Sequence, residues 1–245
     1  MIDIHCHILP SSDDGVSSVG EAMTMARIAS ASGVSAVVIT PHCNLPDAAL
    51  DNYVSMDLLK RMKTFRDRVK AAGNKLRLLP GAEIFYTPEV PALLKKGLLP
   101  RLCGTDYLVV EFYFDAAPET IRDGLNAIRA EGCIPVLAHP ERYFAVQDTP
   151  FLADDWVKSG SVMQINKGSL FGDFGKRSYR AAQWLLQNGM AHVIASDAHS
   201  ASSRTPDLAS VYDLIEETYD TLYADLLLEE NPGRIINNQP ILRAE

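Results

Sequence analysis

Five of the six histidines in this sequence sit at or just past the end of a short β-branched run. His5 and His7 flank Cys6 after the first run, and His42 follows the second in Thr-Pro-His. His139 closes another in Ala-His-Pro, and His199 stands in Ser-Asp-Ala-His. Acids take the matching places elsewhere: Glu83 in Gly-Ala-Glu, Glu111 in Val-Val-Glu, Asp197 beside His199, and Asp14 in Asp-Asp-Gly. Imidazole and carboxylate donors without thiolate suit borderline or hard divalent ions such as Mn, Fe, Zn or Co. Nine such donors exceed what one ion takes, so the pattern argues for a polynuclear site. The period of two in extended chain puts His5 and His7 on one side and Cys6 on the other. A lone His-x-His is commonly a packed pair, and the inference rests on the coincidence of the whole set. Cys6 and Cys43 adjoin histidines but are read as packed thiols, and His192, which begins a run, is read as structural.

Closely spaced divalent ions make hydroxide available near neutral pH by lowering the pKa of a bridging water. They also neutralise phosphoryl oxygens and hold an ester for in-line attack. Arg142 follows the donor His139 and Arg204 follows His199. A guanidinium fork binds phosphate oxygens bidentately, which favours phosphate binding over a structural ion pair at both positions. Lys167 offers a weaker anion contact, and Phe112, Tyr113, Phe114, Tyr143 and Phe144 stand where a phenyl ring could be received. Packing is the commoner role for such aromatics. Cysteine-based tyrosine phosphatases need Cys-x5-Arg, but the residues six after the cysteines are Ser12, Ala49, Val109 and His139, so that chemistry is excluded.

These residues need a scaffold that brings strand ends together. The strand candidates are Ile2–His5, Ser35–Thr40, Leu76–Ile84, Asp106–Phe112, Ile134–His139, Val162–Asn166 and His192–Ser196. Between them run segments with i, i+3, i+4 apolar spacing, such as Val19–Ser32 and Tyr53–Ala72. Glycines fall near the expected helix ends, and Pro88, Pro118 and Pro206 near helix starts. Long helical crossovers imply mostly parallel strands, whose C-terminal edges collect functional groups. This alternation alone leaves open sheet and closed barrel both standing, although the lack of a Gly-rich phosphate loop weakens a nucleotide-binding open sheet. No linker or repeat divides the 245 residues, so one domain is expected.

A composition of 47% hydrophobic and 22% charged residues is ordinary for a globular chain. The formal charge of -8 argues against nonspecific binding to nucleic acid or anionic lipid. No apolar run reaches membrane-spanning length, and the opening Met-Ile-Asp-Ile-His lacks the basic and apolar regions of a signal peptide. Four cysteines without Cys-x-x-Cys spacing fit reduced thiols, and a cytoplasmic location is expected.

Taken together, His5-Cys6-His7, Asp13-Asp14-Gly15, Thr-Pro-His42, Gly-Ala-Glu83, Glu111, His139-Pro140-Glu141-Arg142-Tyr143 and Ser-Asp197-Ala-His199 resemble the PHP (polymerase and histidinol phosphatase) superfamily. Within it the order is similar to the bacterial CpsB/CapC type of manganese-dependent protein-tyrosine phosphatase, from the first residue to Asn231-Pro232. The resemblance implies an α/β fold, a distorted (β/α)7 TIM-like barrel, forming one metallophosphatase domain over residues 1–245. It implies three divalent metal ions, with manganese favoured over Fe, Zn, Co or Mg. His5, His7, Glu83 and Asp197 would hold one ion; Glu83 would bridge to a second shared with Glu111 and His139; Asp14, His42 and His199 would hold the third. The catalytic set would be Arg142 and Arg204, binding phosphate, with His42 and His199. The implied substrate is phosphotyrosine in a protein, with a bacterial tyrosine kinase of capsule or exopolysaccharide synthesis as partner. Neither nucleic-acid binding nor membrane insertion is expected. A histidinol-phosphate type phosphatase and an amidohydrolase-like metal hydrolase remain alternatives, together with a non-catalytic metal-binding domain.

The charge balance fits this reading. Four of the acids are proposed ligands, and three divalent ions would move the formal balance from -8 to about -2. An anionic chain could thus present a cationic rim to a phosphate dianion.

Overall fold

The computed structural model describes residues 1–46 and 51–243; Ala49, one of the positions checked for an arginine, and the last two residues lie outside them. Parallel strands alternate with helices along the chain. The strands are β1 (Ile2–Cys6), β2 (Ala36–Ile39), β3 (His42–Cys43), β4 (Arg77–Pro80), β5 (Glu83–Phe85), β6 (Tyr107–Glu111), β7 (Ile134–Ala138), β8 (Val162–Asn166) and β9 (Val193–Ala195). They form two sheets, β1-β2-β4 and β3-β5-β6-β7-β8-β9, in which every pairing is parallel.

Two of the expected strands are broken where they pass from one sheet to the other. The expected strand Leu76–Ile84 divides into β4 and β5 around Gly81-Ala82. A Cβ on Gly81 would lie 2.7 Å from Val38 Cγ1, so only glycine lets the chain bend that close to β2. The second expected strand, Ser35–Thr40, ends at Ile39, and after Thr40-Pro41 the chain pairs again as β3, which puts His42 inside a short strand. Pro41 has no N–H to offer the ladder, but its carbonyl accepts from Glu83 N at 3.1 Å. The segment after β9 meets β1 through Asp197 N→His5 O and His7 N→Ala198 O, both 2.9 Å.

Alternation along the strands divides the core into two apolar layers. Ile4, Val38, Val109, Val136, Val162 and Val193 pack together on one side. Leu108, Val110, Leu137, Met163 and Ile194 face the other way and meet the helices. Among those helices are α1 (Val19–Ala31) and α2 (Met56–Ala71), each capped by a serine side chain, Ser18 on Glu21 N and Ser55 on Leu58 N. On α2, Leu58, Met62, Phe65 and Val69 are buried at helical spacing, and the rest of its surface is left to solvent. No helix among the described residues is long and apolar enough to cross a membrane.

Candidate metal centre

All nine predicted donors converge at the C-terminal ends of the strands. Glu83 is at the centre. Its Oε2 lies 3.2 Å from His5 Nε2, His7 Nε2 and His42 Nδ1, and its Oε1 lies 3.1 Å from His139 Nε2. Glu111 approaches His42 Nδ1 at 3.0 Å and His139 Nε2 at 3.8 Å. Asp197 Oδ1 stands 3.5 Å from His5 Nε2, His7 Nε2 and His199 Nδ1. Asp14 Oδ1 lies 3.4 Å from His42 Nε2 and 3.3 Å from His199 Nε2. Three subsets have donor atoms mutually within 4.8 Å: His7-Asp14-His42-His199, His5-His7-Glu83 and His42-Glu83-Glu111.

The donors fit divalent cations. Glu83 Oε2 and His42 Nδ1 are buried with no hydrogen-bond partner although they face each other. Such atoms are costly to bury unless a cation satisfies them. Burial opposes protonation of His42, but Glu83, Asp14 and Glu111 overcome it and push its pKa up to about 12. His5 is likewise buried, yet Glu83 and Asp197 raise it to about 9. Against the cost of burial, His5 and His42 hold the Glu83 carboxyl well below the usual range. Asp14 is lowered by its hydrogen bonds to His199 and His42.

Local backbone features aim these groups. His139 and Asp197 both adopt left-handed φ, 38° and 47°. For residues other than glycine this costs about 1–3 kcal/mol each, and such strain clusters at functional sites. Gly15 lets the loop after β1 fold over the donors, because a Cβ there would lie 2.4 Å from His7 O.

Arg142 and Arg204 line one cavity of about 260 Å³ together with Asp14, His42, Glu83 and the other rim donors. Below it, His5 and His7 are fully buried. Arg204 Nη2 lies 2.5 Å from Asp197 Oδ2, and Arg142 Nη1 lies 3.7 Å from the same oxygen. Each also stacks on a ring: Arg142 is 4.4 Å from the Phe114 centroid and 4.3 Å from that of Phe174, and Arg204 is 5.6 Å from Phe174. Of the aromatics singled out in the sequence, Phe112, Tyr113 and Phe114 line the cavity, with Phe85 added. Tyr143 is instead fully buried, and its hydroxyl oxygen accepts from Phe112 N at 3.1 Å. Lys167 points away as well, donating to Asp207 O at 2.6 Å and Thr205 Oγ1 at 3.3 Å. Cys6 lies in the helix-facing apolar layer, and Cys43 Sγ donates to Asp51 O at 2.7 Å.

Sequence reasoning missed the groups that hold the donors in place. Asp13 Oδ2 sits 2.7 Å from His7 Nδ1 and also accepts from His42 N at 2.9 Å. Gln164 Oε1 lies 2.7 Å from His5 Nδ1, and Asn166 Nδ2 donates to Asp197 Oδ2 at 2.6 Å. Such partners fix the tautomer and orientation of a ligating ring or carboxylate. A signal did exist: Gln164 and Asn166 are polar residues two apart in the otherwise apolar β8. Phe174 carried none.

Residues 1–237 match the family described as "Capsular polysaccharide synthesis, CpsB/CapC". The tyrosine-protein phosphatase YwqE of Bacillus subtilis is 34% identical over 247 residues, covering 99% of this chain and 94% of that protein. A solved structure described as coming from YwqE of Bacillus subtilis and CpsB of Streptococcus pneumoniae, "unique metal-dependent tyrosine phosphatases", superposes with TM-score 0.91 at 33% identity, covering 100% of this chain and 97% of the other. The lactonase Lmo2620 of Listeria monocytogenes, 12% identical with TM-score 0.61 over 96% of this chain and 94% of that one, shares the fold alone. With a family match across residues 1–237, the chain belongs to the CpsB/CapC family.

Proposed function

We propose that this chain is a metal-dependent phosphomonoesterase that hydrolyses phosphotyrosine in proteins. The observation that carries the reading is the convergence of the donors, Arg142 and Arg204 on one cavity of about 260 Å³. Family membership supplies the substrate class. Three divalent ions, manganese favoured, would be held by His5, His7, Glu83 and Asp197, by Glu83 with Glu111 and His139, and by Asp14, His42 and His199. When bound, they supply an activated water and neutralise phosphoryl oxygens.

The remaining chemistry belongs to the chain. Arg142 and Arg204 exchange Asp197 for phosphate oxygens, and their guanidinium planes are pre-set by stacking on Phe114 and Phe174. Asp13 and Gln164 keep the far nitrogens of His7 and His5 occupied, so their Nε2 atoms stay directed at Glu83. Phe85, Tyr113 and Phe114 give the phenyl ring of the ester an apolar wall. A phenol with a pKa of about 10 leaves without much protonation, so no general acid is assigned.

The seven strand units are read as a distorted (β/α)7 barrel within one domain spanning residues 1–245; the bonds from Asp197 and His7 that join the last unit to the first support this. The proposed setting is the cytoplasm, acting on a tyrosine kinase that controls capsule or exopolysaccharide synthesis. The test is manganese-loaded protein against a phosphotyrosine peptide, a phosphoserine peptide and histidinol phosphate. Selective release from phosphotyrosine is expected, and activity confined to histidinol phosphate overturns the reading.

A further inference from the structure

The formal charge of -8 conceals a strongly basic face. Residues 60–77 contain eight of the chain's 23 Lys and Arg residues, namely Lys60, Arg61, Lys63, Arg66, Arg68, Lys70, Lys75 and Arg77, and only one acid, Asp67. All except Arg61 are exposed. Lys63 pairs with Asp67 at 2.5 Å. Arg61 is held by the loop after β1, donating to Pro10 O, Ser11 O and Ser12 Oγ at 3.1, 3.0 and 2.6 Å. The other six form no ion pair among the described residues. Helix stability accounts for only part of the pattern: Arg68 and Lys70 sit in the last turn of α2, where cations suit the helix dipole, but Lys60–Lys63 and Lys63–Arg66 are i, i+3 pairs and Arg66–Lys70 an i, i+4 pair of like charge, which weaken a helix.

This face carries two hollows. A hollow of about 310 Å³ lies between Leu9-Pro10 and α2, with Lys60, Arg61, Phe65 and Arg68 on its wall and one acid, Asp57, among them. The same loop continues into Asp13 and Asp14, which hold and join the donor set. A second hollow, of about 580 Å³, is lined by Arg66, Lys70, Lys75 and Arg77 over Leu76 and Leu78. The 16 residues of α2 extend about 24 Å, room for roughly seven residues of extended chain.

We propose that the α2–β4 face docks an acidic polypeptide segment flanking the phosphotyrosine of the substrate. The inference rests on the phosphatase reading above. Unpaired cations supply the charge complementarity, and hollows with apolar floors receive side chains of an extended peptide, which a flat bilayer surface does not offer.

The test uses the manganese-loaded full chain. Two variants are compared with the parent: Lys60→Glu/Arg66→Glu/Arg68→Glu/Lys70→Glu, and the same four positions changed to Gln in case charge reversal disturbs folding. Arg61 is left in place because it anchors the loop. Substrates are two phosphotyrosine peptides of equal length, one with Asp and Glu on both sides and one with Ser and Gly. The parent should show a KM about tenfold lower for the acidic peptide at low salt, a gap that closes as salt rises. Both variants should lose the gap while hydrolysing p-nitrophenyl phosphate like the parent. No gap in the parent, or a gap that survives in the folded variants, overturns the proposal. So does phosphatidylglycerol-vesicle binding that the variants lose while the peptide gap stays. If no phosphotyrosine peptide is cleaved, the phosphatase reading fails separately. Fluorescence anisotropy with the unphosphorylated acidic peptide then decides docking: binding lost in both variants supports it, and no binding by the parent overturns it.

Discussion

His42 and His192 are at opposite ends of the strand array, and their surroundings drive the same side chain in opposite directions. His42 faces Glu83, Glu111 and Asp14 at the C-terminal end, and these carboxylates push its pKa up to about 12 despite burial. His192 precedes β9 at the N-terminal end, where Nδ1 accepts from Met163 N at 3.0 Å and Asn231 Nδ2 donates to its carbonyl at 2.9 Å. Burial, reinforced by Arg243, lowers its pKa to about 4. The neutral ring at one end is a packing element. At the other, acids collect rings that attract cations. The difference teaches that histidine becomes a donor through the carboxylates the fold places around it.

The comparison is tested most severely at Glu83, which touches four of the five clustered histidines. Glu83→Gln should lower kcat/KM by about a thousandfold or more and reduce bound metal, since metal stabilisation is worth several kcal/mol. Metal analysis alongside kinetics checks this; a fully loaded, active variant would make the rim no different from the far end.

The two ends should also differ in the sign of their pH dependence. His192 has a folded pKa of about 4 against 6.5 for the free side chain, so the folded state holds fewer protons in that interval. Stability present above 6.5 is lost as pH falls towards 4, by about 3 kcal/mol in total. His5, raised to about 9, acts oppositely in metal-free protein: its contribution is complete below 6.5 and disappears as pH rises through 9. Denaturant melts of chelator-treated protein across this range measure both, and His192→Gln should flatten only the acid limb.

Smaller effects sharpen the division of roles at the rim. Arg204→Ala should cost about a hundredfold in kcat/KM with metal content intact, in line with the loss of one transition-state donor. Loss of metal instead would make Arg204 a structural partner of Asp197. Asp13→Ala, which frees His7 Nδ1, should weaken metal affinity by about tenfold to a hundredfold, measured by competition with a chelating dye. Cys43→Ala should be the mildest, costing about 1 kcal/mol of stability and leaving metal content and activity unchanged.

Much of the site was legible because strand ends are legible. β-branched runs end in a few identifiable positions, and parallel connectivity sends all those ends to one edge, so His5, His42, Glu111 and Asp197 group together from sequence alone. The strand breaks at Thr40-Pro41 and Gly81-Ala82 were less visible. They depend on Gly81 lying against Val38 and on the Pro41 carbonyl meeting Glu83, contacts between residues some forty positions apart. Lys167 shows the reverse error: a strand-end position suggested an anion contact, but a nearby carbonyl, that of Asp207, takes its ammonium group. Net charge is silent on distribution, because a sum of -8 cannot reveal that eight cations fall within residues 60–77.

By itself the sequence determined which residues could be donors, the parallel alternation that gathers them, and the absence of a Cys-x5-Arg loop. Those follow from residue type and short-range period, which are local properties. Only the tertiary structure decided that Glu83 is the central carboxylate, that Arg142 and Arg204 share Asp197 and Phe174, and that Asp13, Gln164 and Asn166 orient the donors. These relations are set by side-chain distances of a few ångströms between residues far apart in the chain, and no local period encodes them.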